Sequence, residues 1–215
     1  MDDVTCRVET PEQDPDRVVI LIHGIKSKAE GMIKIRERLF QRTDHPETVV
    51  RIFNYRRFPA VIAGFPVISY FKNVRDTYRD YLAHYIGKLM CQFPNSELDV
   101  VAHSFGTFLI SEALKNHPTI SVDRMILLGS VVDTDFQWSS FIRAGRVDYV
   151  CNFVGESDWV QYLSGLTFVG MGTSGSYGFK TEIPGAVENV YPDPTWNHTS
   201  YSKKDNISRI LDKLD

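Results

Sequence analysis

Short runs of β-branched and aliphatic residues alternate with amphipathic segments along most of the 215-residue chain. The first run, Val18–Ile22, is apolar at every position, as expected for a strand that is buried on both faces of a sheet. Alternation of this kind predicts a mainly parallel sheet that is covered by helices on both faces. We therefore expect an α/β protein.

The predicted elements follow one another without an internal repeat or a low-complexity linker. Strands are expected at 18–22, 48–54, 98–102, 124–132, 149–154 and 187–191, and helices at about 30–40, 71–90, 107–116 and 203–214. The length suits one domain over 1–215, in which 1–17 is a polar N-terminal extension. A glycine-rich loop, 165–178, receives no assignment.

One predicted strand breaks off at a sharp turn that leads directly into a helix. The turn reads Ala102-His103-Ser104-Phe105-Gly106. A serine hydroxyl becomes a good nucleophile when a tight strand-to-helix turn holds it beside a base, and such a turn admits only small residues two positions away on either side. Ala102 and Gly106 satisfy this requirement, and the helix N-terminus would direct the N–H of Phe105 at a developing oxyanion. Ser104 is the candidate nucleophile; a simple helix N-cap is the alternative.

This turn resembles the nucleophile elbow, Gly-x-Ser-x-Gly, of the α/β-hydrolase family, with alanine in place of the first glycine. A second similarity is His23-Gly24-Ile25, which directly follows the first strand. The resemblance implies that the N–H of Ile25 completes the oxyanion hole. It also implies that Gly24 lets the backbone approach the elbow and that His23 has a structural role. Taken alone, this segment is also compatible with a glycine loop that closes a strand.

The resemblance extends from Val18 to Leu214 and implies the α/β-hydrolase fold. The chain has no room before Val18 for the leading strands of the family, so a reduced sheet of about six strands is expected. In the family a cap domain usually enters after the elbow helix and the next strand. Here the corresponding stretch, 133–148, is long enough for one short helix, so we expect no cap domain and an open site.

The chain order of the family is nucleophile, acid, base, so both partners of Ser104 should follow it. Asp158 is the preferred acid because a strand ends near Gly155 and an acidic loop then leads into an apolar segment. Asp133 is the main alternative acid, Asp135 and Glu156 are further ones, and a helix cap is the non-catalytic interpretation of Asp158. His198 is the preferred base.

Position in the chain distinguishes His198 from the other five histidines. It alone follows the last predicted strand and precedes the last helix, where the family keeps its catalytic histidine. His23 and His103 flank the motif residues and are expected to have local packing roles. The triad implied by the resemblance is therefore Ser104, Asp158 and His198.

These roles imply a serine hydrolase that cleaves esters through an acyl-enzyme and needs neither a metal nor an organic cofactor. The substrate would be a small-molecule or lipid ester, and thioesters or amides would use the same machinery. A non-catalytic protein of the same fold, which binds a ligand or a partner, is the rival hypothesis. The sequence leaves the oligomeric state open.

Charge and composition narrow the possible partners and the location of the protein. A net charge of −3 and a pI near 6.1 argue against binding to nucleic acid. The three cysteines lack metal-ligand spacing, and the polar N-terminus lacks the features of a secretory signal, so we expect a cytoplasmic protein. The apolar segment 58–71 is too short and too rich in proline and glycine to span a membrane. It is interpreted either as an acyl-binding wall or a lip that contacts a membrane peripherally, or as a loop and helix start packed into the core.

Overall fold

The computed structural model describes residues 14–24, 29–42, 47–55, 66–155 and 171–215, and for 66–71 it describes the backbone alone. The strands are β1 Arg17–Ile22, β2 Thr48–Phe53, β3 Glu97–His103, β4 Val122–Leu128, β5 Val147–Phe153 and β6 Val187–Val190. The helices are α1 Glu30–Phe40, α2 Pro66–Gln92, α3 Phe105–Asn116, α4 Trp138–Arg143, α5 Ser174–Tyr177 and α6 Lys204–Leu211, with a 3₁₀ turn at Ser200–Ser202.

All six strands pair in parallel, in the order β2-β1-β3-β4-β5-β6. The chain moves outward from β1 to β2, returns to β3 on the other side of β1, and then continues in one direction. The strand order therefore reverses between β1 and β3, and ligands of open α/β sheets bind beside the carboxyl ends of the strands at such a point. Ile22 is in register with Ala102, so the residues that follow these two strands lie side by side.

The sheet is buried on both faces, which explains the continuous apolar runs of its strands. In β1, Val18, Ile20 and Ile22 contribute to the core under α2, α3 and α4. Val19 and Leu21 contribute to the opposite core, under α1 and α6. The predicted six-stranded sheet with helices on both faces is confirmed, and between β4 and β5 the chain forms the single short helix α4.

Two boundaries differ from the sequence prediction. α2 begins at Pro66 rather than near residue 71, and proline suits a first helical position because its fixed φ is already helical. β4 ends at Leu128 rather than at residue 132, because Gly129 takes a φ of 52° and turns the chain out of the strand.

The described part of the glycine-rich loop is attached to the chain that follows β4. The N–H groups of Gly172, Ser174 and Gly175 donate to the carbonyls of Val131, Val132 and Ser130, at distances of 2.8, 3.1 and 2.8 Å. The three acceptors lie in residues 130–132, which follow the end of β4. The bonds explain how a segment without hydrophobic periodicity is held at the carboxyl end of the sheet.

The outer edge of β6 is covered by a short preceding segment. Ile183 and Val187 form an antiparallel bridge in which each N–H donates to the carbonyl of the other, at 2.9 and 2.8 Å. The next outward-facing N–H, that of Asn189, donates to the carboxylate of Glu182 at 2.8 Å. The edge strand therefore has local partners for both donors.

A buried carboxylate lies near the amino ends of the central strands. Asp99 has no exposed surface, and its Oδ2 is 3.2 Å from Nε of Arg17. Its Oδ1 accepts the backbone N–H of Arg124 at 3.1 Å. Burial raises the pKa of Asp99 to about 7, although the charge of Arg17 opposes the increase.

Within the described ranges, every helix is too short or too polar to cross a lipid bilayer.

Candidate active site

Ser104 lies in the turn between β3 and α3, with φ 54° and ψ −123°. Positive φ is costly for a residue with a side chain, and strained residues of this kind concentrate at functional sites. The turn is secured by a hydrogen bond of 2.9 Å from the Ser104 N–H to the carbonyl of Leu128 in β4. Ser104 itself is half-buried, between fully buried neighbours.

Two glycines allow the elbow to approach the end of β1. A Cβ on Gly106 would lie 2.8 Å from the carbonyl oxygen of Ile22 and 3.0 Å from that of His23. A Cβ on Gly24 would lie 3.0 Å from the Cβ of Ser104 and 3.4 Å from its Oγ. The first contacts involve backbone, which cannot rotate away as a side chain can. Together with the buried Ala102, these residues form the small-residue frame that the turn needs.

The expected oxyanion donors are described only in part. Phe105 is the first residue of α3, so its N–H belongs to the helix terminus, where backbone donors and the helix dipole favour negative charge. Ile25 lies outside the described residues, so its expected role stays a prediction. The preceding turn is described: Nδ1 of His23 lies 2.8 Å from the carbonyl of Gly24.

Tyr55, which belongs to no motif of the sequence, supports this turn. Its ring stacks on that of His23 with centroids 4.3 Å apart and planes 9° apart. Its hydroxyl donates to the carbonyl of His23 at 2.6 Å, and burial raises its pKa. Tyr55 follows β2 by two residues, and an aromatic residue after a strand carries no local signal for this contact.

His198 is half-buried and lies in the loop between β6 and α6, next to the elbow. Nε2 of His103, the residue before Ser104, lies 3.0 Å from the carbonyl oxygen of His198. The two imidazole rings are 4.6 Å apart and inclined by 51°. The structure therefore brings the loop of the predicted base to the residue that precedes the predicted nucleophile.

His103 is 5% exposed, and its place beside the elbow serine predicts only a local packing role. Its burial lowers the pKa of the imidazole well below the ordinary value, and repulsion from His198 and His23 acts in the same direction. Its Nδ1 is buried without a hydrogen-bond partner. The ring also packs on Tyr201, with centroids 4.1 Å apart.

Aromatic contacts hold the rest of the base loop, residues 191–203, which contains His198. Trp196 stacks on Phe153 of β5 at 5.7 Å. A Cβ on Gly155 would lie 2.7 Å from the carbonyl oxygen of Trp196, so only glycine fits there without a shift. Tyr201 occupies the space beside Gly31 of α1, where a Cβ would meet its ring at 2.5 Å. These contacts join the base loop to both the sheet and a helix.

The candidate acids divide between described and undescribed residues. Asp158 and Glu156 lie outside the described residues, so the preferred acid stays a prediction. Asp133 is exposed, and its Oδ1 accepts the backbone N–H of Asp135 at 3.0 Å. Asp135 forms a surface ion pair with Lys180 at 2.7 Å.

A buried polar cluster lies at the end of β5 that leads toward residue 158. Nδ2 of Asn152, which has no exposed surface, donates to the carbonyl of Ser174 at 2.8 Å and to Oδ1 of Asn189 at 3.1 Å. The hydroxyl of Ser174 in turn donates to that of Ser130 at 2.9 Å. This cluster fixes α5 against the strand ends. In the described part of the chain, no three His, Cys, Asp or Glu side chains are placed to share a metal ion.

Comparison with known proteins supports the architecture. A family model described as alpha/beta hydrolase fold matches residues 51–153. None of the curated proteins compared with the chain matches its sequence.

Several solved structures are similar over nearly the whole chain. A protein of Listeria innocua superimposes with a TM-score of 0.56 at 14% identity, covering 93% of this chain and 94% of its own. For esterase PE8 the TM-score is 0.57 at 16% identity, with 94% and 92% covered. For a lipase-esterase related protein from Clostridium acetobutylicum it is 0.56 at 11% identity, with 95% and 96% covered.

Proposed function

Because this chain has the α/β-hydrolase fold, we propose that it is a serine hydrolase that cleaves carboxylic esters through an acyl-enzyme intermediate. The observation that carries the proposal is the conformation of Ser104, which is held at a positive φ between a buried strand and a helix N-terminus. Nothing in the packing of a simple helix cap requires this strain. A nucleophile elbow requires it, because the hydroxyl must project from the turn.

The proposed reaction assigns roles to a nucleophile, a base and the donors of an oxyanion hole. Oγ of Ser104 attacks the acyl carbonyl while an imidazole nitrogen of His198 takes the hydroxyl proton. The negative charge on the former carbonyl oxygen is stabilised by the N–H of Phe105 and, in the proposal, by that of Ile25. The tetrahedral intermediate expels the alcohol, which takes the proton from His198. Water then attacks the acyl-enzyme by the same route and releases the acid.

Asp158 is the proposed acid, with Asp133 as the alternative. An acid soon after β5 would follow Gly155, which closely approaches Trp196 of the base loop. A carboxylate at residue 158 would orient the imidazole of His198 and stabilise its charged form. Asp133 is a weaker candidate because its exposed carboxylate already accepts a bond within its own turn.

Carboxylic esters are the proposed substrate class for two reasons. The short connection that contains α4 leaves no cap domain over the carboxyl ends of the strands in the described part of the chain, which agrees with the proposed open site. Two of the similar structures are called an esterase and a lipase-esterase related protein. Segment 58–71 would set the length of the acyl chain if it forms an acyl-binding wall rather than part of the core, and it lies largely outside the described residues.

The proposal predicts that Ser104→Ala abolishes both hydrolysis of p-nitrophenyl butyrate and covalent labelling by a fluorophosphonate probe. Removing a triad nucleophile typically lowers kcat by about a million-fold. Ser140→Ala is the matched control, because Ser140 is an exposed serine of α4 outside the proposed site. Labelling that survives Ser104→Ala, or folded wild-type protein that takes up no label, would contradict the proposal and favour a non-catalytic role.

A further inference from the structure

We propose that His103 is a positioning residue, which holds the base His198 beside the nucleophile through the hydrogen bond from its Nε2 to the carbonyl oxygen of His198. This inference rests on the proposed function, because it concerns the geometry of the same site. Sequence position alone suggests no such role: the two histidines are 95 residues apart, and His103 occupies a variable position of the elbow motif.

The contact determines which nitrogen of His103 carries the proton. A carbonyl oxygen can only accept, so Nε2, at 3.0 Å, must be the donor. Nδ1 then has no proton and lies toward Gly24, where a Cβ would approach it to 3.2 Å. Burial and the neighbouring His198 and His23 lower the pKa of the ring, which keeps it in this neutral form.

The ring of His103 is also fixed in orientation. One neighbour is the ring of His198 at 4.6 Å, and another is that of Tyr201 at 4.1 Å. Tyr201 in turn packs against Gly31 of α1. The donor therefore cannot rotate away from the carbonyl without disturbing both the base loop and a helix.

The position of His103 in the chain gives the bond its effect. His103 is the last residue of β3 and Ser104 is the next residue, so both are carried by one rigid piece of backbone. The hydrogen bond from His103 therefore also fixes the backbone of His198 relative to Ser104. A small displacement of a catalytic group is costly, since a misplacement of about 1 Å lowers the rate by about 100-fold.

Two amides placed at residue 103 separate positioning from mere packing. The side-chain N–H₂ of His103→Gln can reach the place of Nε2, whereas that of His103→Asn reaches only the place of Nδ1. We expect His103→Gln to retain most of the kcat for p-nitrophenyl butyrate. His103→Asn and the apolar His103→Leu should lower kcat by about 100-fold with little change in KM. His84→Asn, at an exposed histidine of α2, is the control for the substitution itself.

Equal activity of folded His103→Asn and His103→Gln would overturn the proposal, because a packing role does not distinguish them. If the variants do not fold, the wild-type protein supplies the test through the ¹⁵N chemical shifts of its histidine rings. The proposal requires His103 to be protonated at Nε2 alone, and a proton on Nδ1 would overturn it. Failure of the proposed function itself appears separately, as hydrolysis or labelling that is insensitive to Ser104→Ala.

Discussion

The closest contact in the elbow gives a prediction with a definite sign. In Gly106→Ala the new methyl group would lie 2.8 Å from both Cγ2 and the carbonyl oxygen of Ile22. Ordinary contact begins at 3.4 Å. The side-chain carbon can move, but the carbonyl belongs to β1, which is buried on both faces. The start of α3 must therefore withdraw from β1 by about 0.6 Å, the difference between the two distances.

The expected losses follow from this displacement. Overpacking of a close contact costs about 1–3 kcal/mol, whereas replacing glycine by alanine in a helix gains only about 0.5–1 kcal/mol. The free energy of unfolding of Gly106→Ala should therefore fall. The same displacement moves Ser104 relative to His23 and Gly24, so kcat/KM should fall by about 10- to 100-fold.

Gly87→Ala is the matched control, because it makes the same substitution in α2 where a Cβ would have no neighbour within 4 Å. Only the helix propensity remains there, so this variant should be more stable than wild type by about 0.5–1 kcal/mol and equally active. Urea denaturation and hydrolysis of p-nitrophenyl butyrate measure the two quantities. A Gly106→Ala variant as stable and as active as Gly87→Ala would mean that residue 106 tolerates a Cβ and that the close approach of α3 to β1 does not require glycine.

Two further predictions concern carboxylates. Asp158→Asn should lower kcat by about 10⁴-fold while Asp133→Asn leaves it nearly unchanged, and the reverse pattern in steady-state kinetics would make Asp133 the acid. For Asp99, whose folded-state pKa of about 7 exceeds the ordinary 3.8, the folded protein retains a proton that the unfolded chain releases. The free energy of unfolding should therefore decrease as pH rises from about 4 to 7, by at most about 4 kcal/mol from this group. Asp99→Asn should flatten the urea-denaturation stability profile over this range; an unchanged slope would contradict the assignment.

Local patterns in the sequence predict much of the fold. The apolar run at 18–22 became β1, and the amphipathic segment at 30–40 became α1 with the expected ends. The elbow could also be predicted from the sequence, because the strand, the serine, the small residues and the helix all lie within a short stretch around Ser104. In each case the physical requirement is met by residues that are close together in the chain.

The contacts that escaped prediction join distant parts of the chain. The bond from Tyr55 to His23 depends on the pairing of β2 with β1, and the bond from His103 to His198 depends on the path of the loop after β6; hydrophobic periodicity reports neither. The position of the glycine-rich loop could not be predicted for a related reason. Its attachment beyond β4 uses backbone N–H groups, such as that of Gly172, and every residue type except proline provides this donor, so the donors leave no periodic signal.

The covered edge of β6 has a consequence for the behaviour of the protein in concentrated solution. An open sheet edge offers unpaired N–H and C=O groups to the strands of other molecules, and this is a common route to aggregation. At β6 the donors of Val187 and Asn189 are already occupied by Ile183 and Glu182. An incoming strand would have to displace these local partners first, so edge-to-edge association is hindered at β6.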